Sequence, residues 1–338
     1  DVAPLTGLNR ALVRQGLSVM ARRARAGLVA LADAAGLKSP PSAYHLGYIL
    51  GPRINAGGRV GQADLGARLL TTADEAEAAR LARTLEALNA ERRDIEAEVL
   101  AAATAQAESR DAQGALVWAA GAGWHPGVVG IVAARLKEAF DRPAVVIGID
   151  AAGEGKGSGR SVPGVDLGAA IATCTAEGLL LKGGGHKMAA GLTVAEDRIA
   201  EAMDRLEALL ARQGAGGGGP GTLRVDGLIS VAAATPELIE QIEAAGPFGA
   251  GAPAPRFALG PVQVAHARRV GERHLSLSLR QDGATLKAIA FNAFDGPLGP
   301  ALEQTNGTPV LVAGHLEIND WGGRRRASLR LSDAAHAG

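Results

Sequence analysis

The sequence predicts a layered α/β domain followed by a small β-barrel, with a helical region ahead of both. Apolar segments of strand and helix type alternate from residue 114 to residue 212, which is typical of a sheet packed between helices. A glycine-rich stretch at 214–221 separates this part from residues 222–338, where roughly five short strand-like segments are bounded by turn residues. The region before residue 113 has helical spacing and ends in one long helix.

The helical region carries short helices, a break and a long helix. Apolar residues recur at helical spacing within 7–36, and Pro40 and Pro41 interrupt the pattern before a short helix over 42–50. Hydroxyl and acidic side chains at 71–75 predict the start of a helix that continues to about residue 108. Its narrow apolar seam predicts a bridge between two domains, and a dimerising coiled coil is the alternative. The seam consists of Leu81, Leu85, Leu88, Ile95 and Val99.

Residues 113–213 form the predicted α/β domain. The segment 144–149 is apolar without alternation, as expected for a strand buried on both faces. Two glycine-rich segments, 155–161 and 183–185, are predicted as loops between the regular elements. The predicted strands lie at 115–119, 144–149 and 190–194, and the predicted helices at 128–139, 165–175 and 195–212.

Residues 222–338 are predicted to form a Greek-key barrel of the OB type. Short strands separated by turns such as Asp282–Gly283 favour this architecture, and one helix is predicted over 236–245. Basic residues concentrate here, and a positive groove with an aromatic platform is typical of single-strand binding. A solvated barrel face is the alternative. The candidate binding residues are Lys287, Trp321, Arg324 and Arg325.

Composition limits the classes of function and location. The 338 residues include 35 basic and 35 acidic side chains, so any nucleic-acid surface depends on local clustering of charge. The single cysteine, Cys174, excludes an internal disulfide framework and indicates a reducing compartment. There is no apolar run of membrane-spanning length and no signal peptide. A cytoplasmic location without a membrane partner is therefore expected.

The segment 182–191 is the strongest candidate for a site. Gly183, Gly184 and Gly185 leave backbone N–H groups uncovered and free to face an anion. His186 follows directly, and an imidazole can donate a hydrogen bond to a phosphate oxygen. A glycine-rich turn with a surface histidine is the alternative.

Two further segments combine small residues with arginine. Within 51–61, Arg53 and Arg59 can each present a planar fork to phosphate oxygens, and Asn55 lies between them. Here the alternative is a capping loop whose arginines pair with nearby acids. Within 155–161, one guanidinium and two hydroxyls follow alternating glycines. These residues are Ser158, Arg160 and Ser161.

These segments, taken in order, resemble one family. The motifs are GPRINAGGR, LNAER, GWHPGVVGIVAARL, GKGSGRS and LLKGGGHKMAAG. Together they are similar to the RecJ family, the single-strand-specific 5′→3′ DNA exonucleases of the DHH phosphoesterase superfamily. The resemblance implies a DHHA1 domain over 113–213, an OB domain over 222–338, a connecting helix over 71–112, and the C-terminal remnant of a DHH catalytic domain over 1–70.

The chain departs from the family in its metal-binding motifs. Family members hold two Mn²⁺ or Mg²⁺ ions with aspartate-rich motifs and an Asp-His-His triplet, none of which occurs here. Asp1 resembles the last metal-binding aspartate of that set, and the first residue is not methionine. One carboxylate cannot hold two metal ions. We therefore expect a fragment that lacks most of its catalytic machinery.

The resemblance also implies roles for the candidate residues. His186, with the N–H groups of Gly183 to Gly185, would contact the scissile phosphate, and the 155–161 segment would read the 5′-terminal phosphate. Arg53, Asn55 and Arg59 would line the opposite side of the cleft, whereas for His125 a cleft contact and a turn-stabilising role both remain open.

The implied substrate is single-stranded DNA with a 5′ end, in DNA repair and recombination. The implied partners are a single-strand-binding protein and a helicase, with the chain itself a monomer. Three alternatives remain: a DHH/DHHA1 nanoRNase or cyclic-dinucleotide phosphodiesterase, a non-catalytic single-strand-binding fragment, and a structural protein assembled through the long helix.

Overall fold

The computed structural model describes residues 3–110, 114–216, 222–321 and 324–337, apart from the side chains of residues 320, 321 and 324. The chain divides into two compact units, one of Asp1–Val19 with Gly221–Gly338 and one of Met20–Pro220. Within the described residues, no helix has both the length and the apolar character needed to cross a membrane.

The first part of the chain is helical. The helices are α1 (Gly7–Ala21), α2 (Ala26–Ala34), a π-helix (His45–Leu50) that continues into α3 (Gly51–Val60), α4 (Leu65–Thr71) and α5 (Glu75–Ser109). The capping loop considered as the alternative at 51–61 is wrong, because most of this segment forms α3. Pro52 lies in the first turn, where its missing N–H costs nothing, and Gly57 is buried where a Cβ would lie 2.7 Å from the Gln62 carbonyl oxygen.

The long helix α5 is present and its apolar seam is buried inside the chain. Asp74 caps it, accepting a hydrogen bond from the Glu77 N–H at 2.8 Å. Leu81 and Leu85 pack in a core with α2, α3 and α4, whereas Val99 packs in a second core near the strands. The seam that an intermolecular coiled coil would require is therefore occupied within one chain.

A mixed five-stranded sheet follows α5. Its elements are β1 (Val117–Ala122), α6 (Pro126–Phe140), β2 (Ala144–Ile149), β3 (Glu154–Arg160), α7 (Leu167–Ala176), β4 (Lys182–His186), β5 (Ala189–Ala195) and α8 (Ile199–Ala211). The strand order is β1-β2-β3-β5-β4, with β1 and β2 parallel and the other neighbours antiparallel. Strand β4 therefore lies at one edge.

The two glycine-rich segments predicted as loops are strands β3 and β4. On β3 the glycines alternate and face the core. Larger side chains would not fit at these positions. A Cβ on Gly157 would lie 2.8 Å from Leu192 Cδ1, and a Cβ on Gly159 would lie 2.7 Å from Leu167 Cδ2. The period of two in these glycines is a strand signal that the prediction overlooked.

The two faces of this sheet are covered unequally. On one face, α7 and α8 pack against a core that extends to β5. On the other face, α5 and α6 cover β1 and β2 through residues such as Val128, Val132 and Val146. The side chains that β4 and β5 present on this second face are exposed or half-buried.

The barrel unit contains β6 (Gly227–Ile229), α9 (Pro236–Ala244), β7 (Phe257–Val270), β8 (His274–Gln281), β9 (Ala284–Ala290), α10 (Leu298–Glu303), β10 (Val310–Trp321) and β11 (Arg324–His336). The order β10-β11-β9-β8-β7 closes because β10 also pairs with β7, and β6 adds to β7. The predicted β-barrel is confirmed. Asp282 (φ 46°) and Gly283 (φ 82°) form the left-handed hairpin turn between β8 and β9. Helix α10 was not predicted.

Candidate anion-binding site

Ser158 and Arg160 project from the same face of β3, beside α6. The Arg160 Nη1 donates to Ser158 Oγ and to the Gly159 carbonyl oxygen, both at 2.8 Å. On α6, a Cβ at Gly130 would lie 2.9 Å from Arg160 Nη2 and 3.0 Å from Ser158 Oγ. Glycine at position 130 therefore lets α6 pass beside the guanidinium.

Arg59 comes to the same place from the last turn of α3. Its Nη1 donates to the Gly127 carbonyl oxygen at 2.9 Å. A Cβ on Gly127 would lie only 2.3 Å from the Arg59 carbonyl oxygen, so the end of α3 and the start of α6 meet backbone to backbone. We call Arg59, Ser158 and Arg160, with Gly127 and Gly130 behind them, the arginine pocket.

The two arginines of this pocket repel each other. Burial lowers the pKa of Arg160, and the positive charge of Arg59 lowers it further. In the described part of the chain, neither guanidinium has a carboxylate within ion-pair distance, since their hydrogen bonds go to carbonyl and hydroxyl oxygens. A bound anion would relieve this repulsion and satisfy the free donors.

A third arginine lies behind the pocket on α5. The buried Arg92 donates to Asn89 Oδ1 at 2.8 Å and pairs with Glu96. Burial lowers the pKa of Arg92, Glu96 opposes the shift, and the charge of Arg59 adds to it. The LNAER motif thus forms a buried polar network next to Arg59, a role that the sequence did not predict.

His186 ends β4 at the sheet edge. Its Nδ1 accepts a hydrogen bond from the Met188 N–H at 3.3 Å, so in the neutral ring the proton is on Nε2. The turn is held by two further hydrogen bonds: the Leu167 N–H donates to the Lys187 carbonyl oxygen and the Ser161 N–H donates to the Met188 carbonyl oxygen. The histidine ring is exposed on a fixed hairpin.

The strand register relates His186 to the arginine pocket. Ala189 of β5 lies opposite both Arg160 and His186, so these three residues form one row across the sheet. Side chains directly opposite on antiparallel strands share a face. Two strand spacings separate the outer members of the row by about 10 Å. The sheet therefore brings His186 and Arg160 to one surface.

Three predicted residues have structural roles. The Arg53 guanidinium pairs with Glu86 and donates to the Ile49 carbonyl oxygen at 2.6 Å. Ser161 is 2% exposed and donates to the Val165 carbonyl oxygen at 3.0 Å, which turns its hydroxyl away from Arg160. His125 caps α6, where its Nδ1 accepts from the Gly127 N–H at 3.0 Å. Asn55 is exposed on α3.

The barrel candidates differ in their surroundings. Lys287 is exposed on β9, opposite Ser278 of β8 and Ser328 of β11. Arg325 Nη1 pairs with Glu240 Oε1 at 2.6 Å. Trp321 and Arg324 lie at the ends of β10 and β11, and their side chains are outside the described residues.

Comparison with known proteins identifies the α/β domain and the barrel. A family model described as the DHHA1 domain matches residues 112–212, and one described as the RecJ OB domain matches residues 225–333. The chain is 39% identical to the single-stranded-DNA-specific exonuclease RecJ of Dickeya dadantii and 38% identical to that of Escherichia coli, each match covering 98% of this chain. The chain belongs to the RecJ family.

This RecJ-family chain also matches RecJ structures. It superimposes on RecJ from Thermus thermophilus, solved in complex with Mn²⁺, with a TM-score of 0.82 and 34% identity, covering 100% of this chain and 48% of that one. The chain spans 58% and 59% of the Dickeya and Escherichia relatives, less than two thirds of either length.

The described residues do not fit a two-metal centre. In that part of the RecJ-family chain, no three His, Cys, Asp or Glu side chains are grouped so that they could hold a metal ion. Asp1, the one predicted metal ligand, lies outside the described residues. The donor groups of the arginine pocket suit the binding of an anion.

Proposed function

We propose that this RecJ-family chain is the substrate-gripping part of a single-stranded-DNA-specific 5′→3′ exonuclease and that the arginine pocket holds the 5′-terminal phosphate. The observation that carries the proposal is the pair of half-buried guanidiniums, Arg59 and Arg160, without an acid partner in the described chain. Such a pair is costly in the free protein and favourable once a dianion lies between its members.

The chemistry of the pocket favours a terminal phosphate over an internal one. A terminal phosphate carries up to two negative charges and three free oxygens, whereas a phosphodiester carries one charge. Arg59 and Arg160 supply charged donors, and the Ser158 hydroxyl already bonded to Arg160 adds a neutral one. Helix α6 begins beside Arg59, and its N-terminus adds a favourable dipole.

His186 has a separate role in the proposal. Its Nε2–H points away from the bond to Met188 and donates to a phosphate oxygen of the strand about 10 Å from Arg160. The Gly184 and Gly185 backbone is exposed on the same edge strand. In the longer proteins of this family, bound Mn²⁺ or Mg²⁺ would supply the water activation that phosphodiester hydrolysis requires. The residues described here position the strand and carry none of that chemistry.

The barrel provides a second contact for long strands. On its outer surface, Lys287 of β9 and Arg280 of β8 are exposed. Exposed cations on an OB-type sheet suit a sugar–phosphate backbone. Because the pocket and the barrel lie in different units, we assign the 5′ end to the first and non-specific grip to the second.

This proposal includes the wider setting expected from the sequence. We place the protein in the cytoplasm as a monomer acting in DNA repair and recombination, with a single-strand-binding protein and a helicase as partners. A dinucleotide or cyclic-dinucleotide phosphodiesterase is less favoured. The RecJ-type OB barrel is matched over residues 225–333, and a substrate as short as a dinucleotide would not need this second binding domain.

Binding of labelled DNA tests the proposal. Fluorescence anisotropy with strands of about 20 nucleotides should show tighter binding to single strands than to duplex, and about tenfold tighter binding with a 5′ phosphate than with a 5′ hydroxyl. Arg59→Gln should abolish the phosphate preference. The exposed Arg83→Gln on α5 is the matched control and should retain it.

Equal affinity for the two 5′ ends would overturn the pocket assignment. A nuclease time course with 3′-labelled, 5′-phosphorylated DNA and Mn²⁺ supplies the second measurement. Intact DNA is expected, since the described residues hold no metal cluster. Stepwise shortening of the single strand would show that metal ligands lie among the residues outside that description.

A further inference from the structure

The uncovered part of the α/β sheet presents a regular surface next to the arginine pocket. Strand registers place side chains of β3, β5 and β4 in three rows on one face, each row crossing three strands. We call this surface the open face. Its rows are Arg160–Ala189–His186, Ser158–Gly191–Gly184 and Lys156–Thr193–Lys182.

The middle row is flat because two glycines stand side by side. Gly184 and Gly191 are cross-strand partners, and both are exposed. Neither has the positive φ that favours glycine. A Cβ on Gly184 would meet no atom within 4 Å, and one on Gly191 would meet only the Gly157 carbonyl oxygen at 3.9 Å.

Neighbouring glycines in the same strands are different. A Cβ on Gly183 would lie 2.6 Å from Ile171 Cγ2, and one on Gly185 would lie 2.4 Å from the Ala189 carbonyl oxygen. These two glycines are required by packing. The fold places no such requirement on Gly184 and Gly191, although glycine weakens a strand, so a close approach from outside the protein explains them.

Charge identifies what approaches. The outer rows of the open face carry Arg160, His186, Lys156 and Lys182, and the carboxylate near them is Glu154, whose Oε1 is 3.6 Å from Lys156 Nζ. Lys182 is exposed at the sheet edge. Cations on both sides of a flat strip of backbone suit a chain of phosphates.

We propose that the first nucleotides after the 5′ phosphate lie flat on Gly184 and Gly191 and that Lys182 contacts a phosphodiester beyond them. This inference rests on the proposed function, because the arginine pocket fixes where the strand starts. It adds the direction in which the strand leaves the pocket, across β5 toward the sheet edge.

Two valine substitutions test the flat strip. Gly184→Val and Gly191→Val should keep the thermal unfolding midpoint or raise it, because valine favours strands. Each should weaken binding of a 5′-phosphorylated oligothymidylate of about four nucleotides at least tenfold, since a branched side chain would stand in the strand's path. Thymidine 5′-monophosphate reaches only the arginine pocket. Its affinity, measured by competition, should therefore change less than about threefold in either variant. Gly296→Val, at an extended barrel glycine with equal free space, is the control.

Lys182→Gln gives an independent measurement that does not alter the strand. It should reduce the slope of log affinity against log salt for the same oligonucleotide by about one, with the exposed Lys38→Gln as control. If the wild-type chain prefers 5′-phosphorylated DNA but both valine variants bind the oligonucleotide normally, this inference is wrong and the proposed function stands. If the wild-type chain shows no such preference, both are wrong.

Discussion

The arginines of the pocket and four arginines of the barrel unit have opposite environments. In the α/β unit, Arg59 and Arg160 are half-buried and bond only to neutral oxygens within the described chain. In the barrel unit, four exposed arginines are paired with acids. These pairs are Arg269 with Glu303, Arg273 with Asp295, Arg325 with Glu240 and Arg330 with Glu317.

The difference shows why a count of basic residues is a poor guide to a binding surface. The barrel unit carries many basic residues, but four of its arginines are already balanced by neighbouring carboxylates. The α/β unit holds fewer arginines in its pocket, and burial together with mutual repulsion leaves them unbalanced. Unbalanced charge held in place by the fold is what an anion can recognise.

The largest effect is expected at Arg92, which combines the two environments because it is buried and also paired. Arg92→Met should lower the free energy of unfolding by about 3 kcal/mol, since it leaves the half-buried Glu96 with only the more distant Arg135 at 3.8 Å. Urea unfolding measures this loss. Arg93→Met, at an exposed neighbour on the same helix, should change stability little.

A second substitution separates the buried charge from packing. Combining Arg92→Met with Glu96→Gln should recover part of the lost stability, because the unpaired carboxylate is removed. If the double variant were no more stable than Arg92→Met, the loss would come from packing rather than from charge.

The next largest effect is expected at Arg160. Arg160→Gln should weaken binding of 5′-phosphorylated single strands roughly tenfold to a hundredfold, because charge-assisted hydrogen bonds to the phosphate are lost. The unfolding free energy should not fall, since the substitution also ends the repulsion with Arg59. Anisotropy and urea unfolding measure the two quantities. A parallel fall in both would make Arg160 a structural residue.

A smaller effect is expected at the paired arginines of the barrel. Arg269 Nε and Nη2 bond to the two Glu303 oxygens at 2.8 and 2.7 Å, and the guanidinium also lies over the Phe294 ring. Arg269→Gln should leave the preference for a 5′ phosphate unchanged. The same anisotropy measurement checks it. A lost preference would mean that the barrel pairs open to bind DNA.

The smallest effect is expected in the pH dependence of stability. Hydrogen bonds from Arg269 and Arg273 hold the pKa values of Glu303 and Asp295 below their ordinary values of 4.5 and 3.8. The unfolded chain therefore takes up protons before the folded chain does as the pH falls. Stability should drop from about pH 5 downward, and Arg269→Gln should make the drop shallower. Urea midpoints from about pH 6 to about pH 3 measure it.

Much of the fold follows from local patterns. The succession of strand-type and helix-type apolar segments located β2 and the helices of the α/β domain, and turn residues located the barrel strands. The glycine-rich strands β3 and β4 were predicted as loops because glycine is common both in turns and at positions of close packing. Only the atoms that face Gly157 and Gly159 in the folded chain show that close packing is the reason on β3. Helix α3 was not predicted for the same reason, because it also contains glycines.

The sequence by itself determined the residue types of the site and their order along the chain. GKGSGRS and KGGGH contain a guanidinium, hydroxyls and an imidazole that are able to contact an anion, and covalent chemistry fixes what each can donate. Only the tertiary structure decided which of them act together. It turned Ser161 inward, tied Arg53 to Glu86, and brought Arg59 to the side of Arg160, which lies 101 residues later in the sequence. Burial and pairing depend on neighbours distant in sequence, and those neighbours exist only once the chain has folded.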